Sequence, residues 1–255
     1  MPLMADPVTG FDHALWDNVL KSYVVVDKHK HTWVDYQKIK NDSAALQPYL
    51  VSLSRVSRAD FQNWPKDERL AFLINAYNAW TIQLVVENYP VESIRDIGSL
   101  LQSPWKKAFI PLLGEVVSLD GIEHGMIRAS GRYEELRIHF ALNCASVGCP
   151  PLRQEAYTAD RLDQQLQAQT RQFLADRTQN RQAGKVLELS AIFKWYRGDF
   201  EKGWLDYHSL DQFLLAYSSD LGLSDQAEKR LQAGEFKLRF LEYDWRLNDL
   251  ANKPG

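Results

Sequence analysis

DERLAFLINAYNAWTIQLVVEN (Asp67–Asn88) is the stretch whose reading decides the fold. Apolar residues occupy nearly every side of a 3.6-residue period, so the spacing predicts a helix buried all round rather than one lying on a surface. Such a helix needs other elements packed against every face. Tyr89-Pro90 ends it, because the residue before a proline is pushed out of helical geometry. Two amides, Asn75 and Asn78, sit three residues apart on one face beside Tyr77. Buried amides must find partners. They either pin a neighbouring loop or line a polar cleft, in which case Asn78 is a substrate-binding candidate.

Upstream, Phe11–Leu20 carries Phe11, Ala14, Leu15 and Val19 at helical spacing, Tyr23–Val26 reads as a short strand, and Ser57-x-x-Asp60 reads as a helix start. Downstream, Lys107–Leu113 and Glu115–Leu119 flank Gly114 as a β-hairpin. Asp120 then starts a helix, with Glu123 placed to complete a capping box. Thr158–Asn180 is amphipathic, with Leu162, Leu166, Phe173 and Leu174 on one side. Lys185–Leu189 predicts a strand, Ser209–Tyr217 and Ser224–Ala233 predict helices, and Glu235–Tyr243 alternates through Phe236, Leu238 and Phe240 like a half-buried strand. The pattern is α+β: one helix-rich domain over 1–255, with a helical part at 11–64, a core at 65–250 and a small antiparallel sheet. No repeat and no Pro/Gly/Ser-rich linker divides it.

With 45% hydrophobic and 25% charged residues among 255, the composition is that of an ordinary globular chain, and eight tryptophans leave aromatics over for a groove. A formal net charge of −3 without a basic block argues against nucleic acid as a partner. No apolar run approaches a membrane span. The start, MPLMADPVTG, has neither the charged nor the apolar region of a signal peptide. That suits a cytoplasmic protein, or an exported one whose signal has been replaced.

The chemistry concentrates in RIHFALNCASVGCPPL (Arg137–Leu152), which holds both cysteines, Cys144 and Cys149, with His139, Asn143 and Pro150-Pro151. Cys144 is a candidate nucleophile, which needs a neighbouring imidazole or helix N-terminus to lower its pKa. His139 lies an odd number of residues away and shares no face with Cys144 in strand or helix, so the two meet only if the chain turns between them. His139 and Asn143 do share a face, and Asn143 could orient a ring or donate to a substrate carbonyl. His124, in Glu123-His124, is the other candidate base, with Glu123 as its orienter. Arg128, four residues on, shares its face, and the juxtaposition suits a substrate carboxylate between them. Cys149, ahead of two prolines, belongs to an extended loop, where it could resolve an oxidised Cys144 or pair with it as a disulfide. His124, His139, Cys144 and Cys149 are a zinc set by residue type, but their spacing matches no common zinc pattern. Neither a metal nor a cofactor is expected. Asp199 in FKWYRGDF (Phe193–Phe200) and Asp244 in EYDWRLN (Glu242–Asn248) read as anchors for Tyr or Trp polar tips.

Taken together, INAYNAWTI (Ile74–Ile82), SLDGIEHGMIR (Ser118–Arg128), RIHFALNCASVGCPPL, FKWYRGDF and YDWRLN resemble the DUF547 family in order and spacing, from about Asp67 to Asn248. The resemblance implies an exported, periplasmic protein and a fold similar to papain-like or transglutaminase-like thiol enzymes. Cys144 would then be the nucleophile, with His124 or His139 as base and Glu123 as orienter. Two functions are consistent with these residues. One is a thiol-dependent hydrolase or acyl transferase acting on a peptide or amide. The other is a binding module whose His/Cys/Arg pocket holds a small ligand or a thiol such as glutathione.

Overall fold

The computed structural model describes residues 10–98, 102–129 and 131–254. The first nine residues, read above for a signal peptide, lie outside these. In chain order the elements are α1 (Ala14–Tyr23), β1 (Val24–Val26), β2 (Thr32–Val34), α2 (Tyr36–Asn41), α3 (Ser43–Ser54), α4 (Arg58–Asn63) and α5 (Lys66–Asn88). Then follow β3 (Ile110–Leu112), β4 (Glu115–Val117), a π-helical turn (Gly121–Ile127) and a 3-10 turn (Leu136–Phe140). The remainder is α6 (Leu162–Leu174), β5 (Arg181–Ala183), β6 (Val186–Leu189), α7 (Ile192–Trp195), α8 (Arg197–Phe200), α9 (Leu210–Ala216), α10 (Asp225–Gln232) and β7 (Lys237–Phe240). The class is α+β, and no helix among the described residues is long and apolar enough to cross a membrane.

The helix α5 is buried from Leu70 to Val85 without interruption, as its all-round apolar pattern requires. Its first turn carries Asp67 and Glu68, and Glu68 accepts the Phe11 backbone N–H at 2.6 Å. Ser57, Ser209 and Ser224 cap α4, α9 and α10 through their side chains. The hairpin β3–β4 closes on Leu113-Gly114, both at positive φ (54° and 82°), a turn whose twist matches the strands it joins.

Three expectations are corrected. The sheet is not one antiparallel unit: β1–β2 and β3–β4 are separate pairs, and in β5–β6–β7 the last strand runs parallel to β6. Four helices, α7 to α10, lie between β6 and β7 and bring the chain back in the same direction. The helix expected over Thr158–Asn180 stops at Leu174, because Asp176 accepts the Thr178 N–H at 2.8 Å and the buried Asn180 amide takes the Phe173 carbonyl at 2.8 Å. Asp120 and Glu123 form no capping box. Asp120 makes no side-chain cap, and Glu123 is spent elsewhere.

Two apolar clusters form the interior. One packs α1 to α5 with the β3–β4 hairpin, and the other packs α6, β6 and α7 to α10. The Leu136–Phe140 turn joins them. Leu136 and Phe140 belong to the second cluster and Ile138 to the first, which leaves His139 at the seam.

Candidate functional site

Past Phe140 the chain doubles back, with Ala145 at φ 61°, and the 144–149 loop lies under the 243–248 segment. Val147 and Gly148 donate to the carbonyls of Arg246 and Asp244 at 2.8 and 2.9 Å, and Asn248 donates to Ala145 at 3.2 Å. A Cβ on Gly148 would stand 3.0 Å from the Asp244 nitrogen and 3.1 Å from its carbonyl oxygen, so this close approach calls for glycine. Within the loop Cys144 and Cys149 are joined as a disulfide, with Cα atoms 6.2 Å apart. The Tyr243 hydroxyl sits over the bridge, 3.0 Å from the Cys144 sulfur and 3.2 Å from that of Cys149. Burial pushes the Tyr243 pKa up, so the phenol keeps its proton.

His139 is packed face to face on Tyr196, ring centres 4.0 Å apart, and its Nε2 is 2.9 Å from the Asp199 carboxylate. Burial tends to raise the pKa of Asp199, but hydrogen bonds from His139, Arg128 and Lys202 outweigh it and hold the group well below the usual carboxylate range. An ionised carboxylate only accepts, so Nε2 of His139 donates. Burial pulls the His139 pKa down more than Asp199 and Glu123 raise it, which keeps the ring neutral and leaves its lone pair on Nδ1.

The π-helical turn presents the Glu123-His124 pair. Tyr196 donates its hydroxyl to Glu123 at 2.8 Å. Arg128 donates Nη1 to His124 Nδ1 at 2.6 Å and Nε to Asp199 at 2.7 Å, and it lies over the Tyr196 ring. His124 and Arg128 thus meet directly rather than across a carboxylate, and Arg128 takes Asp199 as its own ion-pair partner. The side chains of Glu123, His124, His139 and Cys144 line one cavity of about 190 Å³ with Cys149 and Asp120. Trp105, Trp195, Tyr243 and Trp245 form its aromatic wall, with Trp195 stacked on Trp245 at 5.7 Å and 48% exposed. Among the described residues, no group of three or more His, Cys, Asp or Glu side chains is arranged to hold a metal ion.

The three expected substrate-binding residues do not line this cavity. Arg128 is engaged as described. Asn143 donates to the Pro150 carbonyl at 2.9 Å and accepts from Ala145 at 3.0 Å, so its amide shapes the cysteine loop. Asn78 donates to the Ala141 carbonyl at 3.0 Å and accepts the Asn143 N–H at 2.8 Å. Asn75 clamps Tyr157 in the same two-bond way, at 2.7 and 3.0 Å. Both helix amides thus pin loops, the first of the two alternatives the sequence left open. Asn78→Ala strands a buried carbonyl and a buried N–H, so it should lower stability by about 2 kcal/mol. Urea unfolding of the variant beside wild type measures this.

Sequence reasoning missed the partnership of Asp199 with His139, across 60 residues, and the reach of Tyr243 to Cys144, across 99. Asp199 did carry a signal, a carboxylate set among rings that would bury it, but nothing local named its partner.

The family model described as a protein of unknown function, DUF547, matches residues 61–174. No curated protein and no solved structure matches the chain. The cysteine loop and the π-helical turn fall inside the matched segment, whereas Asp199, Tyr196 and the aromatic wall except Trp105 fall outside it.

Proposed function

We propose, for a chain whose residues 61–174 belong to the DUF547 family, that Cys144 is the nucleophile of a thiol-dependent hydrolase or acyl transferase acting on a peptide or amide. The Cys144–Cys149 disulfide is its resting, oxidised form. The observation that carries this reading is the His139–Asp199 pair, a neutral imidazole held by a buried carboxylate in the cavity that Cys144 also lines. The base is then His139. The Nδ1 lone pair of His124 is occupied by Arg128, which leaves His124 and Asp120 to contact substrate at the mouth. Similarity to papain-like or transglutaminase-like enzymes belongs to the proposal, as does an exported setting, where a disulfide persists.

The steps balance as follows. An external dithiol supplies two electrons and two protons, opens the disulfide to two thiols and leaves as its own disulfide. Cys144 passes its proton to His139, and Tyr243, 3.0 Å from the sulfur and itself accepting the Ser146 hydroxyl at 2.9 Å, donates to the thiolate. The sulfur bonds to the carbonyl carbon, the tetrahedral adduct collapses, and the leaving amine takes the proton from His139. Water or an acceptor amine, losing a proton to His139, then attacks the thioester and returns Cys144.

Cys149→Ala leaves Cys144 unpaired and makes its titration readable. The rate of iodoacetamide labelling should reach half its plateau below about pH 7, and His139→Ala should move that midpoint to about 8.5. A midpoint near 8.5 before His139 is changed would sink the proposal. The second reading, a binding module, is favoured by the aromatic wall beside a closed disulfide. It expects Cys144→Ser to retain affinity for glutathione while Cys144 titrates as an ordinary thiol.

A further inference from the structure

A second cavity, of about 340 Å³, opens behind the π-helical turn. Arg58, Gln62, Arg69, Arg132 and Tyr133 supply its polar lining, and no carboxylate lines it. Arg58 reaches out to Glu115 at 2.9 Å, but that pair is exposed on both sides and weak. Among the described residues Arg69 and Arg132 enter no ion pair, and the buried Nε of Arg69 has no hydrogen-bond partner. Both arginines act on the Tyr133 hydroxyl, countering the rise in pKa that burial gives it, so their charge converges at one place. Phe61, Leu113 and Met126 make the remaining floor apolar.

Three guanidinium groups around one cavity repel each other, and a donor left unsatisfied in the interior is costly. An anion relieves both. Planar forks suit the oxygens of a phosphate bidentately, and three cations favour a dianion over a monoanion. The geometry points to a binding site for a small phosphate monoester, its phosphate held by Arg58, Arg69 and Arg132 and its organic group set on Phe61, Leu113 and Met126. The site shares no lining residue with the cysteine cavity and stands whether or not Cys144 is catalytic.

Isothermal titration with phenyl phosphate tests it. Wild type should show saturable one-to-one binding, and benzoate, a monoanion of similar ring size, should bind more weakly. Arg69→Gln and, separately, the exposed Arg132→Gln should each weaken phenyl phosphate at least ten-fold, while Trp195→Ala in the other cavity leaves it unchanged. Circular dichroism of each variant confirms that it folds. No saturable heat up to about 10 mM, wild-type affinity in both arginine variants, or loss of binding in Trp195→Ala would each overturn the assignment.

Discussion

Asp199→Asn should slow acylation of Cys144 by p-nitrophenyl acetate about 100-fold at pH 6, in a Cys149→Ala background that keeps the thiol open. In the proposed mechanism the carboxylate stabilises the imidazolium that forms when His139 takes the Cys144 proton. An asparagine in its place accepts through one neutral oxygen and can present its amide to the ring, where it stabilises the wrong tautomer. Cys144 then titrates as an ordinary thiol, of which roughly 0.3% is thiolate at pH 6. The defect should shrink as pH rises and vanish near pH 9, where the thiol ionises unaided. That shape separates a role at His139 from general damage, which would slow the reaction at every pH. Asp199 also holds Arg128 and Lys202, so the unfolding midpoint of the variant should be measured alongside. A rate at pH 6 within two-fold of the parent would remove Asp199 from the mechanism.

Lowering the pH from 7 to 4 should cost the fold about 3 kcal/mol through His13 alone. His13 is 5% exposed, its Nδ1 lies 2.7 Å from the Tyr49 hydroxyl, and its Nε2 has no partner. Burial lowers its pKa from 6.5 to about 4, against a smaller raising effect of Asp12. The unfolded chain therefore takes up a proton between 6.5 and 4 that the folded chain refuses. The contribution is complete above pH 6.5 and is lost as pH falls through about 4. His139, lowered for the same reason, adds with the same sign. His31 acts with the opposite sign: its hydrogen bond to Asp176 raises its pKa, so its contribution grows as pH falls from 7, is complete below about 6.5, and is constant through the lower part of the range where His13 is read. The depressed carboxylates Asp27, Asp176 and Asp199 lose their contribution only further down. Urea unfolding at pH 7, 5.5 and 4.5 reads the slope, and His13→Gln should flatten it by about one proton. An unchanged slope in that variant would place the acid sensitivity elsewhere.

What the chain reveals in one dimension follows the reach of each interaction. The helix α5 and the caps of α4, α9 and α10 depend on residues within a few positions, and the sequence marks them. The end of α6 does not follow periodicity, because a local turn at Asp176 competes with the helix and wins. At the site, both cysteines, His139, Glu123 and His124 stand out by type and are brought to one cavity. Counting residues between His139 and Cys144 made their meeting depend on a turn between them, and a turn is what the chain has there. A 3-10 turn ends at Phe140 and a reversed loop follows, which brings both residues to the same cavity without a regular element spanning them. Arg128 and Asn143 were legible as polar residues in the right segments, but not as residues already satisfied from within, since their partners lie at Asp199 and Pro150.

The strap over the cysteine loop also sets an order of events in time. Synthesis runs from the N-terminus, so Cys144 and Cys149, five residues apart, leave the ribosome nearly together. Tyr243 and the 244–248 segment, which cover the pair, follow about a hundred residues later. In that interval the two thiols are uncovered, and in an oxidising compartment the loop would close on itself before its roof arrives. The cysteine pair is thus complete in the chain well before the cavity it belongs to.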